Sequence, residues 1–254
     1  MLTGYGVTSG SQPLPILYED NHLLAVIKPP GILSQADQTG EPDMVNLLKE
    51  DLKFRYRKPG NVFVGLVHRL DRPVGGAMLF AKTSKAAGRL SDSVRTRSFD
   101  KVYFAIVHGM PAPCAEPLRH YLRKDAGRNL VTVHDHPVPD AKEALLYYEV
   151  VASARHTSLV AVRLLTGRPH QIRAQMSAIG HPLLFDRKYG APAAEGARDL
   201  ALWSAAISVP HPVTKEQLIL QAPLPAAEPW RQWQDSPHEE AMFRLLGARA
   251  KEKQ

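Results

Sequence analysis

Apolar positions along the chain fall into short β-like runs separated by polar stretches with helical spacing. The run LLAVIKPPG (23–31) is apolar and β-branched and halts at Pro29, Pro30 and Gly31, which predicts a buried strand with Lys28 at its end. Asp43 is placed to cap a helix over 44–54 carrying Val45, Leu48 and Leu52 on one face. VGLVHRLDRPVGGAMLFAKT (64–83) reads as strand, loop and strand around a Pro-Val-Gly-Gly break. Ser84 is placed to cap a helix over 85–97, with Ala87, Leu90 and Val94 toward the core and Lys85, Arg89 and Arg95 away from it. A strand over 101–109 follows, then a Pro-rich basic stretch to about Asp140 that suits loops or a small hairpin. ALLYYEVVAS (144–153) and SLVAVRLLT (158–166) form a predicted hairpin. Pro169 is placed to open a helix with Ile172, Met176 and Ile179 on one face and Gly180 at its end. A strand pair near 200–209 and 216–222 and an amphipathic helix from Pro237 to the C-terminus complete the pattern. Strands with interspersed helices point to an α+β domain on a mixed, mostly antiparallel sheet with flanking helices and loops. The expected layout is a loose arm over 1–16, one main domain over 17–228 and a helical tail over 229–254.

Composition narrows the function classes. The chain has 254 residues, 44% of them apolar and 22% charged, which is ordinary globular composition. Its single cysteine, Cys114, can supply neither an internal disulfide nor a thiolate zinc cage, and a cytoplasmic location is expected. No window approaches the ~18 apolar residues of a membrane span. Charge is uneven: the first 50 residues carry −4 and the other 204 carry +11. Lys82, Lys85, Arg89, Arg95, Arg97 and Lys101 cluster against only Asp92 and Asp100, which reads as a surface for a polyanion, with nucleic acid the first candidate.

Several chemistries lack their residues. The eleven histidines include no H-E-x-x-H, and His134-Asp135-His136 lies in an expected exposed loop, so no metal site is expected. GYGVTSG (4–10) has the wrong spacing for a dinucleotide loop, and no G-x-S-x-G elbow is present. Two polar strings remain. His68, Arg69 and Asp71 sit between apolar strands, where adjacent cations favour an ionised carboxylate able to act as nucleophile or base. Arg168, His170, Gln171 and Arg173 crowd the first turn of the expected helix after Gly167, where free backbone N–H groups also attract anions.

These strings and their order resemble the RluA-type RNA pseudouridine synthases. LYEDNHLLAVIKPPGILSQ (17–35) resembles that family's first strand and Lys-Pro-x-Gly turn, and VHRLDRPVGGAMLFAKT (67–83) its H-R-L-D signature. KVYFAIVHG (101–109) is similar to its K-x-Y-x-A strand, and LLTGRPHQIRAQMSAIGHPLLFDRKYG (164–190) to its T-G-R-x-H-Q-I-R block. The resemblance spans about 17–225 and implies the pseudouridine synthase fold without an N-terminal S4-like RNA-binding domain. It implies isomerisation of uridine to pseudouridine in structured transfer or ribosomal RNA, by a monomer with no cofactor. It makes Asp71 the catalytic aspartate, Tyr103 the aromatic ring against the target base, Arg173 the basic partner of Asp71, and Arg69 the residue that displaces the base. His68, Arg168, His170, Gln171 and the basic cluster are then expected to meet RNA. Two departures stand out: Val74-Gly75-Gly76 replaces the usual Thr-Ser-Gly, and Phe185-Asp186 replaces a Gly-Asp. A non-catalytic RNA-binding or chaperone protein on the same scaffold is the rival reading, but it predicts loss of Asp71, Tyr103 or Arg173. A sugar hydrolase using Glu19 and Asp20 fails because neighbouring strand positions face opposite sides.

Overall fold

The structure is a computed structural model that describes residues 14–113, 117–190 and 199–252, with backbone only for 248–252. Residues 1–13 of the expected arm, including 4–10, and Cys114 lie outside the described residues. Among the described residues, eleven strands and four α-helices give an α+β fold, as the apolar pattern implies. No helix among the described residues is long and apolar enough to cross a membrane. The chain divides into two compact units, one of residues 1–99 with 204–223 and one of residues 100–203 with 224–254.

In the first unit, β1 (Ile16–Glu19) pairs antiparallel with β2 (Leu23–Lys28). β2 has no solvent on either face from Leu23 to Val26, which is why it reads as a continuous apolar run rather than an alternating one. Helix α1 (Met44–Arg55) starts where expected: the Asp43 carboxylate accepts from the amides of Val45 and Asn46 at 3.1 and 3.2 Å. Its buried apolar residues are Met44, Leu48 and Leu52, with Val45 half-buried. β3 (Gly65–Leu66) and β2 both pair antiparallel with β4 (Gly75–Ala81), which is buried throughout. Helix α2 (Ser84–Arg95) is capped by Thr83, one residue before the expected Ser84, because the Thr83 hydroxyl reaches the Ala86 amide at 3.2 Å. Leu90 is buried as expected, whereas Ala86 turns inward in place of Ala87, which is half-buried, and Val94 is exposed.

The second unit is built on β5 (Asp100–His108), β6 (Leu118–Asp125), β7 (Leu130–His134), β8 (Lys142–Ala154) and β9 (Thr157–Leu164), ordered β5-β9-β8-β6-β7 with antiparallel neighbours. The stretch after Met110 is therefore a hairpin, β6–β7, whose Leu122 and Val131 join a core with Ala144, Ala174 and Tyr189. Helix α3 (Gln171–Ala178) lies over that hairpin. It begins two residues after Pro169, with His170 as N-cap at φ 50, and Gly180 at φ +85 terminates it as expected. In the first unit again, β10 (Leu202–Pro210), most of which belongs there, neighbours β4 and pairs antiparallel with β11 (Gln217–Gln221). Helix α4 (His238–Glu252) packs on β5, β8 and β9, with His238 edge-on to Phe104.

Two features yield measurable consequences. Gly76 sits at φ +111, and a Cβ there would overlap the Ser204 carbonyl and lie 2.6 Å from the Ser204 amide nitrogen. Gly76→Ala should therefore lower the unfolding free energy by about 3 kcal/mol or more, read by urea denaturation; wild-type stability would contradict this close approach. Glu19 is partly buried, which alone would raise its pKa, but hydrogen bonds from Lys82, Arg55 and Tyr56 hold it below its ordinary 4.5. A carboxylate depressed in the folded state stabilises above its unfolded pKa and loses that contribution as pH falls through its folded value. The melting-temperature gap between wild type and Glu19→Gln should be full at neutral pH and close as pH drops below 4.5; a gap constant with pH would contradict it.

Candidate active site

The H-R-L-D loop lies between β3 and β4 in the first unit and is held from below by a buried lysine. Lys28 ends β2 with no solvent exposure, and its ammonium donates to the carbonyls of Pro29, Arg72 and Val74 at 2.9, 3.1 and 2.8 Å. An unpartnered ammonium there would be strongly disfavoured, so those carbonyls are compelled to converge on it. The Gly31 amide donates to the same Arg72 carbonyl at 2.8 Å, and Arg72 Nε returns a bond to the Gly31 carbonyl at 3.0 Å. On the other side of Asp71, the Ser34 hydroxyl donates to the Leu70 carbonyl at 2.7 Å and accepts from the Leu70 amide at 3.0 Å. A turn from the Val74 amide to the Asp71 carbonyl, 2.9 Å, closes the loop. Asp71 is thus half-exposed on a backbone pinned at the residue before it and the residue after it.

Neighbours of Asp71 divide into internal and outward groups. Arg69 is exposed. His68 is buried: its Nε2 accepts from the Leu79 amide at 3.0 Å and its ring lies 5.2 Å from that of Phe99. It ties the loop to β4 and does not present itself to RNA, contrary to expectation.

In the second unit, β5 carries Lys101 and Tyr103 on one face by strand alternation. Tyr103 is 5% exposed. Burial pushes the Lys101 ammonium below its ordinary 10.5, and its Nζ lies beside Gly167. At the start of α3, Arg173 is buried and makes a bidentate pair with Asp186, itself 1% exposed, through Nε and Nη2 at 2.8 and 2.7 Å. The guanidinium also lies 5.2 Å from the centre of the Tyr189 ring, whose hydroxyl accepts from the Val131 amide at 3.0 Å and meets His170 Nδ1 at 2.7 Å. Gln171 is buried, accepting from the Thr166 hydroxyl and Arg168 amide at 2.9 Å each and donating to the Leu145 carbonyl. Arg168 Nε donates to the Glu143 carbonyl at 2.9 Å. Much of the polar density of T-G-R-P-H-Q-I-R therefore organises the turn internally, and Gln171 in particular is not available to RNA as expected.

The basic cluster is likewise thinner than its sequence suggests. Lys82 is engaged with Glu19 at 2.7 Å and the Asp20 carbonyl at 2.6 Å, and Arg89 donates to the Pro212 carbonyl at 2.9 Å. Arg95 pairs with Asp92 on the surface, while Lys85 and Arg97 are exposed. Three contributors carried no role in the sequence reading: Lys28, Ser34 and Asp186. The last had a signal, since an arginine on the buried face of an apolar helix needs a carboxylate, and Asp186 is the one retained in HPLLFDRKYG.

A family model for RNA pseudouridylate synthase matches residues 22–178, more than half of the chain. The chain belongs to the RNA pseudouridine synthase family. It is 35% identical over 215 residues to the RNA pseudouridine synthase YjbO of Bacillus subtilis, covering 84% of this chain and 73% of that one. It is 34% identical over 233 residues to ribosomal large subunit pseudouridine synthase D of Vibrio cholerae, covering 84% and 68%. The solved structure of human RNA pseudouridylate synthase domain containing 4 shares the fold, with TM-score 0.70 and 24% identity over 83% of this chain and 88% of that one. The activity of the chain is the isomerisation of uridine to pseudouridine in RNA.

The Arg173–Asp186 pair can be weighed directly. Asp186→Ala takes both carboxylate oxygens away from a buried guanidinium and should lower the unfolding free energy by about 3–5 kcal/mol, with Asp186→Asn losing less because an acceptor remains. Wild-type stability for Asp186→Ala, read by urea denaturation, would show that Arg173 is held by something else.

Proposed function

We propose that Asp71 is the carboxylate on which the isomerisation turns, with Tyr103 supplying an aromatic face for uracil and Arg173 the cation of the site. The reaction breaks N1–C1′, turns the uracil and joins C5 to C1′, releasing the C5 proton. A paired base cannot turn, so the uridine leaves its stack, and Arg69, exposed two residues before Asp71, fills the gap. Attack at C1′, attack on the ring, and removal of a sugar proton to give a glycal all begin at one fixed carboxylate. The observation that carries this reading is the Asp71 backbone, pinned by Ser34 through Leu70 and by Lys28 through Arg72 and Val74. Such pinning supplies the preorganisation a displacement needs, because little freedom is left to lose on reaching the transition state.

The substrate is structured ribosomal or transfer RNA in the cytoplasm, read largely by shape and an extruded loop base, and the enzyme acts as a monomer. Names of relatives such as the large-subunit synthase of Vibrio cholerae favour ribosomal RNA as the first substrate to try. Lys85, Arg95 and Arg97 supply phosphate contacts, and Lys101, Arg168 and His170 meet the RNA as well.

Asp71→Asn should abolish pseudouridine formation, mapped by carbodiimide-dependent primer extension, while RNA affinity in filter binding changes little because phosphate contacts dominate it. Turnover by a pure preparation of that variant would overturn the assignment.

A further inference from the structure

α1 ends in a surface whose composition differs from the rest of the first unit. In the segment FRYRKPG (54–60), Phe54 is 76% exposed and Tyr56 50% exposed, and Arg57 and Lys58 stand beside them in solvent. Exposed aromatics of this size should turn inward if any local packing were available. Tyr56 is instead fixed in the open: its hydroxyl donates to Glu19 at 2.9 Å, and Arg55, which pairs with the same carboxylate at 2.8 Å, holds the base of the ring. The nitrogens of Lys58 and Lys82 lie 5.6 and 5.1 Å from the ring centre, and Arg55 Cζ 5.2 Å. The ring forms one wall of an open pocket of about 350 Å³, lined also by Glu19, Asp20, Asn21, Lys58 and Lys82.

Both carboxylates of this pocket are already engaged. Glu19 is consumed by Lys82, Arg55 and Tyr56, and Asp20 by the amides of His22 and Leu23 and by His211. Lys53, Arg57 and Lys58 have no carboxylate within ion-pair distance among the described residues and face solvent. An exposed aromatic ring with Lys58 beside it and Arg57 and Lys53 in solvent nearby suits a π-faced anion. Stacking groups interleaved with backbone-tracking cations are the chemistry by which single strands are held without sequence preference.

We propose that Phe54, Tyr56, Arg57 and Lys58 form a second RNA contact, a platform on which an unpaired nucleotide of the substrate stacks while its phosphates meet the cations. It rests on the reading of this chain as an enzyme acting on RNA, and it adds a surface that none of the four family motifs contains.

The test uses the full chain and a fluorescein-labelled single-stranded decauridylate, with affinity followed by anisotropy over a salt series. Phe54→Ala with Tyr56→Ala should weaken binding about tenfold or more, the range expected for lost base stacking. Tyr56→Phe, which keeps the ring, should bind within about twofold of wild type. Arg57→Ala with Lys58→Ala should reduce the slope of log affinity against log salt by about 1.4, the value for two single-strand phosphate contacts. The kcat/KM on a large-subunit RNA fragment should fall with the decauridylate affinity. All four side chains are exposed, and melting curves report whether each variant is folded. Unchanged affinity and unchanged salt slope would overturn the proposal and leave the surface to a protein partner. If no RNA is turned over by wild type while the decauridylate results hold, the enzymatic reading fails and the platform stands. Normal turnover with unaffected decauridylate binding sinks the platform alone.

Discussion

A cation buried away from water has to be met by oxygen, and this chain uses that requirement twice to fix the backbone where its chemistry is expected. In the first unit Lys28 gathers three carbonyls, two of them from the residues just after Asp71. In the second, Arg173 is locked by both oxygens of Asp186 and lies against the Tyr189 ring. Neither arrangement is evidence of net stabilisation, since apolar replacements of buried pairs are often as stable. What each supplies is a constraint on the backbone, because the groups that meet the cation are drawn to it from separate positions in the chain. The Lys-Pro-Pro-Gly turn and the H-R-L-D loop, forty residues apart in the chain, thereby become one object.

The same logic explains which departures from the family pattern are tolerated. Val74 and Gly75 lack the usual hydroxyls, yet the loop is held through backbone carbonyls, to which side-chain identity at those positions is indifferent. Gly76, the residue that is kept, is the one pressed against Ser204, where no side chain fits. Phe185 takes the place of a glycine and retains the left-handed backbone, at φ 67, that glycine adopts without strain. It persists there because the next residue, Asp186, is fixed by Arg173.

Much of the fold was legible in local pattern, and what escaped depends on distant partners. The continuous apolar run of β2, the Asp43 cap and the β8–β9 hairpin follow from neighbours within a few residues. Thr83 and Ser84 both offer a hydroxyl that fits the cap of α2 by local rule, and the structure uses Thr83. At the site, Asp71, Arg69 and Arg173 stood out as dense polar residues between apolar segments. Density could not separate groups that face solvent from groups that satisfy one another. His68 bonds to the Leu79 amide and Gln171 to Leu145, partners that no spacing rule reveals. The charge count failed in the same way, since Lys82 and Arg89 spend their donors inside the protein and the aromatic-basic end of α1 was overlooked beside them.

Conversion of uridine to pseudouridine has one chemical signature that binding, hydrolysis and chaperoning lack: the hydrogen on uracil C5 is lost when that carbon joins the sugar. The most direct measurement is therefore release of tritium to water from cellular ribosomal and transfer RNA labelled at uracil C5, incubated with the purified wild-type chain alone. A rise to a plateau of whole equivalents per RNA molecule, with no strand cleavage, is the expected result. Absence of release from every cellular RNA fraction that the protein demonstrably binds would contradict the account.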